Sequence, residues 1–270
     1  MNKNPFIRRG AGTAFITGAS SGIGAAFAQT LASRGHGLIL TARREGRLQT
    51  LAEDLQARFG VHAEVVPADL TSDDDLDRLE RLVAGRTDLS YLINNAGFGT
   101  TGRFFDVEAT KPRNMLRVHC EAAMRLSHSA LPGMIDRGRA AIINVSSVAA
   151  FVPSGGSAMY GSTKMFLVAF SQALAMELRD TEVRVQALCP GFTYTEFHDT
   201  PEFKARWDRA DIPKWLWLSA ERVVDMSLRA LDRNKPVCVT GFRYKLIIAL
   251  ARNPLMRPVL RRFAKQREGK

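Results

Sequence analysis

The most informative stretch of this 270-residue chain is TAFITGASSGIG, which runs from Thr13 to Gly24. A short apolar run leads directly into a glycine-rich turn, and apolar residues at helical spacing follow from Ala25 to Leu31. Glycines at such a turn let backbone N–H groups approach a pyrophosphate, and the helix N-terminus adds positive potential. The G-x-x-x-G-x-G spacing differs from the usual dinucleotide fingerprint, so a purely structural turn is the alternative interpretation.

Strands and helices alternate on the C-terminal side of this turn. The strands predicted next are Leu38–Leu40, Val61–Val66, Leu89–Ile93, Ala141–Val145 and Val183–Leu188, with long helices near 107–136 and 157–180. Such alternation of short buried strands with helices is typical of a parallel sheet covered on both faces. We therefore predict an α/β fold, a Rossmann-type doubly wound sheet in three α/β/α layers, forming a single catalytic domain over residues 1–240.

The pattern changes after Pro190. Residues 192–218 are irregular and rich in aromatic side chains, and Pro236–Thr240 could form an edge strand. Aromatic residues in an irregular segment often line an apolar cleft, although burial against the domain is the alternative. The residues expected to form this wall are Phe192, Tyr194, Phe197, Phe203, Trp207, Trp215 and Trp217, with Phe151, Val152 and Met159 beside them. They favour a hydrophobic substrate over a sugar acid.

Composition excludes several classes of protein. With 46% hydrophobic and 24% charged residues, the chain is neither disordered nor collagen-like. Three widely spaced cysteines, Cys120, Cys189 and Cys238, argue against a disulfide framework or a metal site. The first ten residues lack the apolar core of a signal peptide, and no apolar run approaches the length of a membrane span. A cytoplasmic protein is predicted.

The formal net charge of +11 is concentrated at one end of the chain. From Arg233 onward there are eleven basic residues and one acid, Glu268, which gives this segment +10. No nucleic-acid-binding motif accompanies the charge, so we expect no nucleic-acid partner. Residues 241–270 form a basic amphipathic tail, which suggests peripheral contact with the inner membrane surface. A helix packed on the domain or on another subunit is the alternative.

Two arginines follow the second predicted strand. An NAD site usually carries an acidic residue there for the ribose 2′-hydroxyl, whereas this chain has Arg43 and Arg44 after the small Ala42. Guanidinium groups suit a 2′-phosphate dianion, and the pair therefore favours NADP(H). A solvated arginine pair at a strand end is the alternative.

Tyr160 and Lys164 are four residues apart in a predicted helix and therefore share one face. A nearby ammonium group favours tyrosinate, so we expect Lys164 to lower the phenol pKa and Tyr160 to act as general acid and base. Ser147 lies just beyond a strand, at the sheet edge where ligands bind, and could hold a substrate oxygen. The adjacent Ser146 competes for this role, and alternation lets one of the two reach the site.

Four motifs follow one another along the chain: Thr17–Gly24, Asn94-Asn-Ala-Gly97, Ser147 with Tyr160 and Lys164, and Pro190-Gly191. Over roughly residues 11–195 the chain resembles the short-chain dehydrogenase/reductase superfamily, as an NADP-preferring member. The resemblance implies hydride transfer between a nicotinamide cofactor and a carbonyl or alcohol carbon. It also implies cofactor contacts at Gly18, Ser20, Ser21, Gly22, Ile23, Gly24, Arg43, Arg44, Asp69, Asn95, Ala96, Gly97, Tyr160, Lys164, Pro190, Gly191, Thr193 and Thr195.

Within that resemblance, Asp69 would bind the adenine, while Thr193 and Thr195 would contact the carboxamide end. One position departs from the family pattern, because His119 stands where members usually carry an Asn that orders a water beside the lysine. We expect His119 to keep this relay as a fourth catalytic residue and to add a pH dependence near neutrality. A packed histidine is the alternative.

The function expected is NADP(H)-dependent interconversion of an apolar alcohol and its ketone or aldehyde. A non-catalytic NADP-sensing regulator on the same fold is the rival hypothesis, although a pure sensor need not retain Ser147, Tyr160 and Lys164. The two long helices resemble those used for dimers in the family, so we expect a homodimer or homotetramer.

Overall fold

The computed structural model describes residues 6–7, 9–10, 12–100, 102–153, 155–200, 204, 210 and 212–252. Seven parallel strands form the central sheet in the order β3-β2-β1-β4-β5-β6-β9. The strands are β1 Thr13–Thr17, β2 Gly37–Thr41, β3 Ala63–Val65, β4 Leu89–Asn94, β5 Ala140–Val145, β6 Val183–Cys189 and β9 Val237–Val239. Two short strands, β7 Thr193–Tyr194 and β8 Leu218–Ser219, pair separately. The strand order reverses between β1 and β4, which opens a crevice at their carboxyl ends.

Helices cover both faces of the sheet. They are α1 Gly22–Ala32, α2 Glu45–Phe59, α3 Asp73–Ala84, α4 Thr110–Leu116, α5 Ala122–Arg137, α6 Ala158–Glu177, α7 Ala220–Leu231 and α8 Phe242–Arg252. One apolar core packs α1, α2 and α7 on the sheet, and a second packs α3, α5 and α6 on the other face. The predicted Rossmann-type three-layer fold is therefore confirmed.

Local sequence explains where several helices begin. The Ser72 side chain accepts a hydrogen bond from the Asp75 backbone N–H, and three aspartates fill the first turn of α3. Acidic residues there complement the positive end of the helix dipole. Ser219 likewise accepts from the Arg222 N–H and caps α7.

The helix predicted near 107–136 is interrupted. It consists of α4, a π-helical turn at Arg117–Glu121, and α5. A π-turn inserts one extra residue and shifts the side chains that follow it, which is why such turns are frequent at functional sites. Here the turn directs His119 and Cys120 into the protein interior.

The structure also tests further expectations about the fold. The strand predicted at 61–66 is shorter and spans Ala63–Val65, whereas α6 and the edge strand β9 lie within their predicted ranges. All three cysteines are buried and unpaired. Among the described helices, none combines the length and apolar content needed to cross a bilayer.

Candidate active site

The glycine-rich turn between β1 and α1 is closely packed. Gly18 and Gly22 adopt left-handed backbone conformations with φ of +64° and +57°. A Cβ atom on Gly24 would lie 2.3 Å from the Gly18 carbonyl oxygen, so this position excludes every other residue. The Ser21 side chain does not cap α1. The first-turn N–H groups of α1 are therefore without a side-chain cap, and such groups suit a pyrophosphate.

Two polar residues that the sequence analysis did not interpret structurally hold this turn in place. Thr17 Oγ1 accepts hydrogen bonds from the backbone N–H groups of Asn95 and Ala96. Asn95 Nδ2 donates to the carbonyl oxygens of Thr17, at 2.9 Å, and Gly18, at 3.1 Å. The Asn95 side-chain nitrogen therefore stabilises the turn through both hydrogen bonds. Of the three residues predicted to contact the ribose, Ala96 and Gly97 take no part in these two bonds.

The two arginines after β2 differ in their contacts. The Arg44 guanidinium donates to Ser20 Oγ at 3.0 Å and to Ser21 Oγ at 2.8 Å, so it lies against the glycine-rich turn. The Arg43 side chain is exposed at the same edge. This arrangement fits a phosphorylated ribose, because two guanidinium groups border the end of β2 and no acidic residue occupies that position.

A carboxylate from a distant part of the chain joins this cluster. Glu196 accepts from Arg44 Nη1 at 2.9 Å and from Arg47 Nη1 at 2.6 and 2.8 Å. The hydrogen bonds from both arginines hold the pKa of Glu196 below its usual value. These contacts tie the segment after β6 to α2, across the mouth of the predicted cofactor site.

The serine pair at the end of β5 divides as strand alternation predicts. Ser146 is buried, and its hydroxyl donates to the Lys164 carbonyl oxygen at 2.7 Å. Ser147 is partly exposed, and its Oγ accepts from the Ala149 N–H at 3.1 Å. Ser147 also makes a hydrogen bond with the Tyr160 hydroxyl, so the structure brings these two predicted residues together.

Tyr160 and Lys164 lie in the first turns of α6 and meet at this edge. Lys164 Nζ donates to the Val145 carbonyl oxygen at 2.9 Å and is 5.7 Å from the centre of the Tyr160 ring. Burial lowers the pKa of Lys164 to about 8, although the nearby Cys120 and Cys189 raise it. The lysine therefore carries a proton that it can lose at mildly alkaline pH.

The expected effect of Lys164 on the tyrosine pKa is wrong for this structure. Burial raises the pKa of Tyr160 to about 12, and the hydrogen bond with Ser147 only partly opposes the increase. Desolvation penalises the phenolate more than the surroundings stabilise it. At neutral pH Tyr160 is accordingly a protonated phenol, which is the form required of a general acid.

His119 is buried beside Gly97, where a Cβ atom would lie 2.9 Å from His119 Nε2 and 3.4 Å from Lys164 Nζ. The Phe98 N–H donates to Nε2 at 3.1 Å, and Nδ1 lies 2.9 Å from Thr163 Oγ1. Since Nε2 accepts, the ring proton is on Nδ1 and is donated to Thr163. The histidine thus borders Lys164, and both of its ring nitrogens have partners.

The expected titration of His119 near neutrality is wrong. Burial, and secondarily the charge of Lys164, holds its pKa well below 6.5. The ring is neutral throughout the physiological range, so it can orient a proton carrier without changing its own charge. Its participation in a relay stays a prediction.

The remaining predicted cofactor contacts lie around the same crevice. Asp69 Oδ1 accepts from the backbone N–H and the hydroxyl of Thr71, which closes a local turn. The Pro190 carbonyl oxygen accepts a hydrogen bond from the Val148 N–H at 2.9 Å. This bond links the end of β6 to the segment that carries Ser147. Thr193 is buried and donates to the Gly191 carbonyl, whereas Thr195 lies directly over Gly22. Ile23 is partly buried at the start of α1.

The aromatic segment contributes one ring to the reacting centre. The Phe197 ring is 5.8 Å from that of Tyr160, and its edge faces Gly99. Phe192, Tyr194 and Trp217 instead pack together, while Trp215 is exposed. The predicted positions Phe203 and Trp207 lie outside the described residues.

The other residues predicted to line the apolar cleft differ in how deeply they are buried. Phe151 packs into a small core beside β6, and Val152 and Met159 are partly exposed. Next to Phe98 a cavity of about 260 Å³ is lined by Gly99, Thr100, Asp106, Val107, Glu108 and Lys111. The rim of this cavity is therefore more polar than the aromatic segment predicts.

Tyr244, on α8, is a functional candidate that the sequence analysis missed. Its hydroxyl accepts from the Phe192 N–H at 2.9 Å and donates to the Leu216 carbonyl at 2.7 Å. A Cβ atom on Gly191 would lie 2.0 Å from the Tyr244 ring, so the ring packs flat on that glycine. One side chain thus holds both ends of the segment 192–218.

Comparison with known proteins agrees with this geometry. The short chain dehydrogenase family model matches residues 12–204. Sulfoacetaldehyde reductase from Chromohalobacter salexigens is 38% identical over 186 residues, which cover 68% of this chain and 73% of that protein. A short-chain dehydrogenase from Sphingobium yanoikuyae, solved in complex with NADPH, has a TM-score of 0.79 at 35% identity and covers 91% of this chain and 95% of its own.

A second solved structure is similar. The bulky-bulky ketone specific alcohol dehydrogenase from Comamonas testosteroni has a TM-score of 0.76 at 33% identity, with 91% of this chain and 94% of that chain covered. The matched family region contains the glycine-rich turn together with Ser147, Tyr160 and Lys164. The chain belongs to the short chain dehydrogenase family of oxidoreductases.

Proposed function

We propose that this protein is an NADP(H)-dependent oxidoreductase that interconverts an apolar alcohol and its ketone or aldehyde. The observation that carries the proposal is the placement of Ser147 and Lys164 beside Tyr160 at the carboxyl end of β5. Ser147 hydrogen-bonds to the Tyr160 hydroxyl, and Lys164 Nζ lies 5.7 Å from the centre of the Tyr160 ring. The NADPH complex of the similar Sphingobium protein supports the choice of cofactor.

The residues present fit NADP(H). The pyrophosphate would lie in the cradle of Gly18, Gly22 and Gly24, and the 2′-phosphate would lie between Arg43 and Arg44. When bound, the nicotinamide supplies or accepts the hydride that changes the oxidation state of the substrate carbon. The adenine contact of Asp69 and the carboxamide contacts of Thr193 and Thr195 stay part of the proposal.

Residues of the chain itself would supply the proton that the carbonyl oxygen takes up on reduction. In reduction, Ser147 and Tyr160 would hold the carbonyl oxygen between their hydroxyl groups, and Tyr160 would donate its proton as the alkoxide forms. The Lys164 ammonium would stabilise the resulting tyrosinate. Alcohol oxidation would follow the same path in reverse, with Tyr160 as the base.

An apolar substrate is supported by the wall facing Tyr160. Phe197 places aromatic surface next to Tyr160, and the ring of His119, which lies between Phe98 and Tyr160, carries no charge. The name of the Comamonas relative, which is specific for bulky ketones, points in the same direction.

The proposed partners also include further copies of the chain. Met124 on α5, and Met165, Phe166 and Met176 on α6, are exposed and suit a homodimer or homotetramer built on these helices. Buried reduced cysteines favour a reducing compartment such as the cytoplasm, and the basic tail suggests peripheral contact with a membrane.

A substrate screen separates this function from that of an NADP sensor. Purified protein should oxidise NADPH in the presence of some members of a panel of apolar ketones, aldehydes and steroids, and more slowly with sugar acids. Absorbance at the reduced-nicotinamide band gives the rate, and fluorescence titration gives NADPH affinity. Tight NADPH binding without turnover on the whole panel would support the sensor and contradict the enzyme.

The rate should depend on pH through Lys164. Its pKa of about 8 in the free protein means that the ammonium is present below pH 8 and lost above it. We therefore expect kcat/KM for NADPH to fall as pH rises through about 8, because neutral lysine cannot stabilise tyrosinate. Steady-state rates between pH 6 and 10 at constant ionic strength would test this, and a rate that stays constant from pH 7 to 10 would contradict it.

Two variants make the pH assignment specific. Lys164→Arg keeps its charge in this range, so its residual activity should lack the alkaline decline. His119→Asn should keep the wild-type profile, because the histidine is already neutral. An inflection near pH 6.5 that disappears in His119→Asn would show that the histidine titrates after all.

A further inference from the structure

Helix α8 presents two different faces. Tyr244 and Ile248 are buried against the catalytic domain, with 5% and 9% of their surface exposed. Phe242, Leu246 and Leu250, which recur every four residues on another face, are 72%, 58% and 39% exposed. Contiguous exposed apolar surface on a soluble domain marks a place of contact with another apolar surface.

The exposed face continues onto the substrate segment. Trp215 is largely exposed, and the Arg243 guanidinium lies 5.1 Å from its ring and 5.4 Å from that of Phe242. Arg243 also donates to the Trp215 carbonyl oxygen at 2.6 Å. Trp215, Phe242, Leu246 and Leu250 therefore form one surface, which we call the α8 face.

The two segments that form the α8 face carry charge of one sign. Residues 212–219 and 242–252 contain Lys214, Arg243, Lys245 and Arg252 and no aspartate or glutamate. The sequence continues from α8 with six more basic residues and one acid. Exposed aromatic and aliphatic side chains flanked by cations are the composition that binds the headgroup region of an anionic bilayer.

We propose that the α8 face docks this protein on an anionic lipid surface. Phe242, Leu246, Leu250 and Trp215 would enter the interface, and the surrounding cations would bind lipid phosphates. The Tyr244 hydroxyl joins α8 to both ends of segment 192–218, so docking would place the mouth of the substrate cleft at the membrane. An apolar ketone could then reach the site from the bilayer. The docking specifies a surface for the membrane contact in the proposed function, and this entry of substrate rests on the proposed activity as well.

Vesicle cosedimentation of the full chain tests the docking directly. The probes are vesicles of phosphatidylcholine alone and of equal parts phosphatidylcholine and phosphatidylglycerol. Wild-type protein should bind the anionic vesicles, bind neutral vesicles much more weakly, and dissociate as salt increases. The double variant Phe242→Ser/Leu246→Ser should weaken binding to anionic vesicles by about tenfold or more.

Phe105→Ser is the matched control. Phe105 is as exposed as Phe242, at 76%, and it too has an arginine over its ring, because the Arg103 guanidinium lies 4.7 Å away. This variant should bind anionic vesicles like wild type. Thermal melting would verify that all variants fold, and NADPH oxidation without vesicles, which docking does not require, would test the proposed function separately.

Three results would overturn the proposal. Wild-type protein could fail to bind anionic vesicles, or the double variant could bind them as tightly as wild type, which would assign binding to charge elsewhere. Analytical ultracentrifugation could show that the double substitution dissociates an oligomer, which would make the α8 face a contact between copies of this chain.

Discussion

Tyr160→Phe should lower kcat for NADPH-dependent ketone reduction by about 10²–10⁴-fold, the range typical of a lost general acid. The substitution removes the hydroxyl that meets Ser147 and leaves the ring in place between His119 and Phe197. NADPH affinity should change little, because we propose that the phosphates bind at the glycine-rich turn and not at the Tyr160 hydroxyl. Steady-state kinetics and fluorescence titration of NADPH measure the two quantities.

Tyr194→Phe is the control for this experiment. It removes a phenolic hydroxyl from a tyrosine that is about half exposed in segment 192–218, and its activity should stay near the wild-type value. Comparable activity in Tyr160→Phe and wild type would remove Tyr160 from the reaction. A loss of activity accompanied by equal loss of NADPH binding would instead indicate a disturbed cofactor site.

Arg44→Ala should weaken NADPH binding by about 10- to 100-fold, because a hydrogen-bonded charged group contributes roughly 1.5–3 kcal/mol. NADH lacks the 2′-phosphate, so its affinity should change much less. Arg43→Ala should act in the same direction. Dissociation constants for both cofactors, measured at one ionic strength, give the selectivity directly. An equal loss for NADPH and NADH would mean that Arg44 supports the turn and not the phosphate.

Glu196→Gln should have the opposite effect on NADPH affinity. The Glu196 carboxylate pairs with Arg44 and Arg47, and it would repel an incoming 2′-phosphate. Its removal should therefore tighten NADPH binding several-fold and leave NADH binding unchanged. Glu53→Gln, which alters an exposed carboxylate on α2, is the matched control. Weaker NADPH binding in Glu196→Gln would show that the carboxylate orders the arginines and does not compete with the phosphate.

The sequence predicted the parts of this site that depend on local pattern. A strand, a glycine turn and a helix follow one another directly, and Tyr160 and Lys164 share a helix face because of their spacing. Strand alternation also distinguished Ser146 from Ser147. In each case neighbouring residues in the chain determine the relevant geometry.

Contacts between distant segments could not be predicted in this way. Glu196 meets Arg44 across 152 residues of sequence, and Tyr244 meets Phe192 across 52. The pKa expectations for Tyr160 and His119 were wrong for a related reason, since spacing shows which charges are close and does not show how much water burial removes.

The hydrogen bonds that link β5 and α6 have a consequence for how the enzyme meets its cofactor. Lys164 Nζ donates to the Val145 carbonyl oxygen, and the Ser146 hydroxyl donates to the Lys164 carbonyl oxygen. These two hydrogen bonds fix the end of β5 against α6. The groups that we propose for proton transfer are thus held in place by the fold, and little conformational entropy remains to be lost there on binding. We expect the conformational change on cofactor binding to occur in the segment around Glu196. Its ion pairs with Arg44 and Arg47 are half exposed, and such exposed pairs contribute little stability.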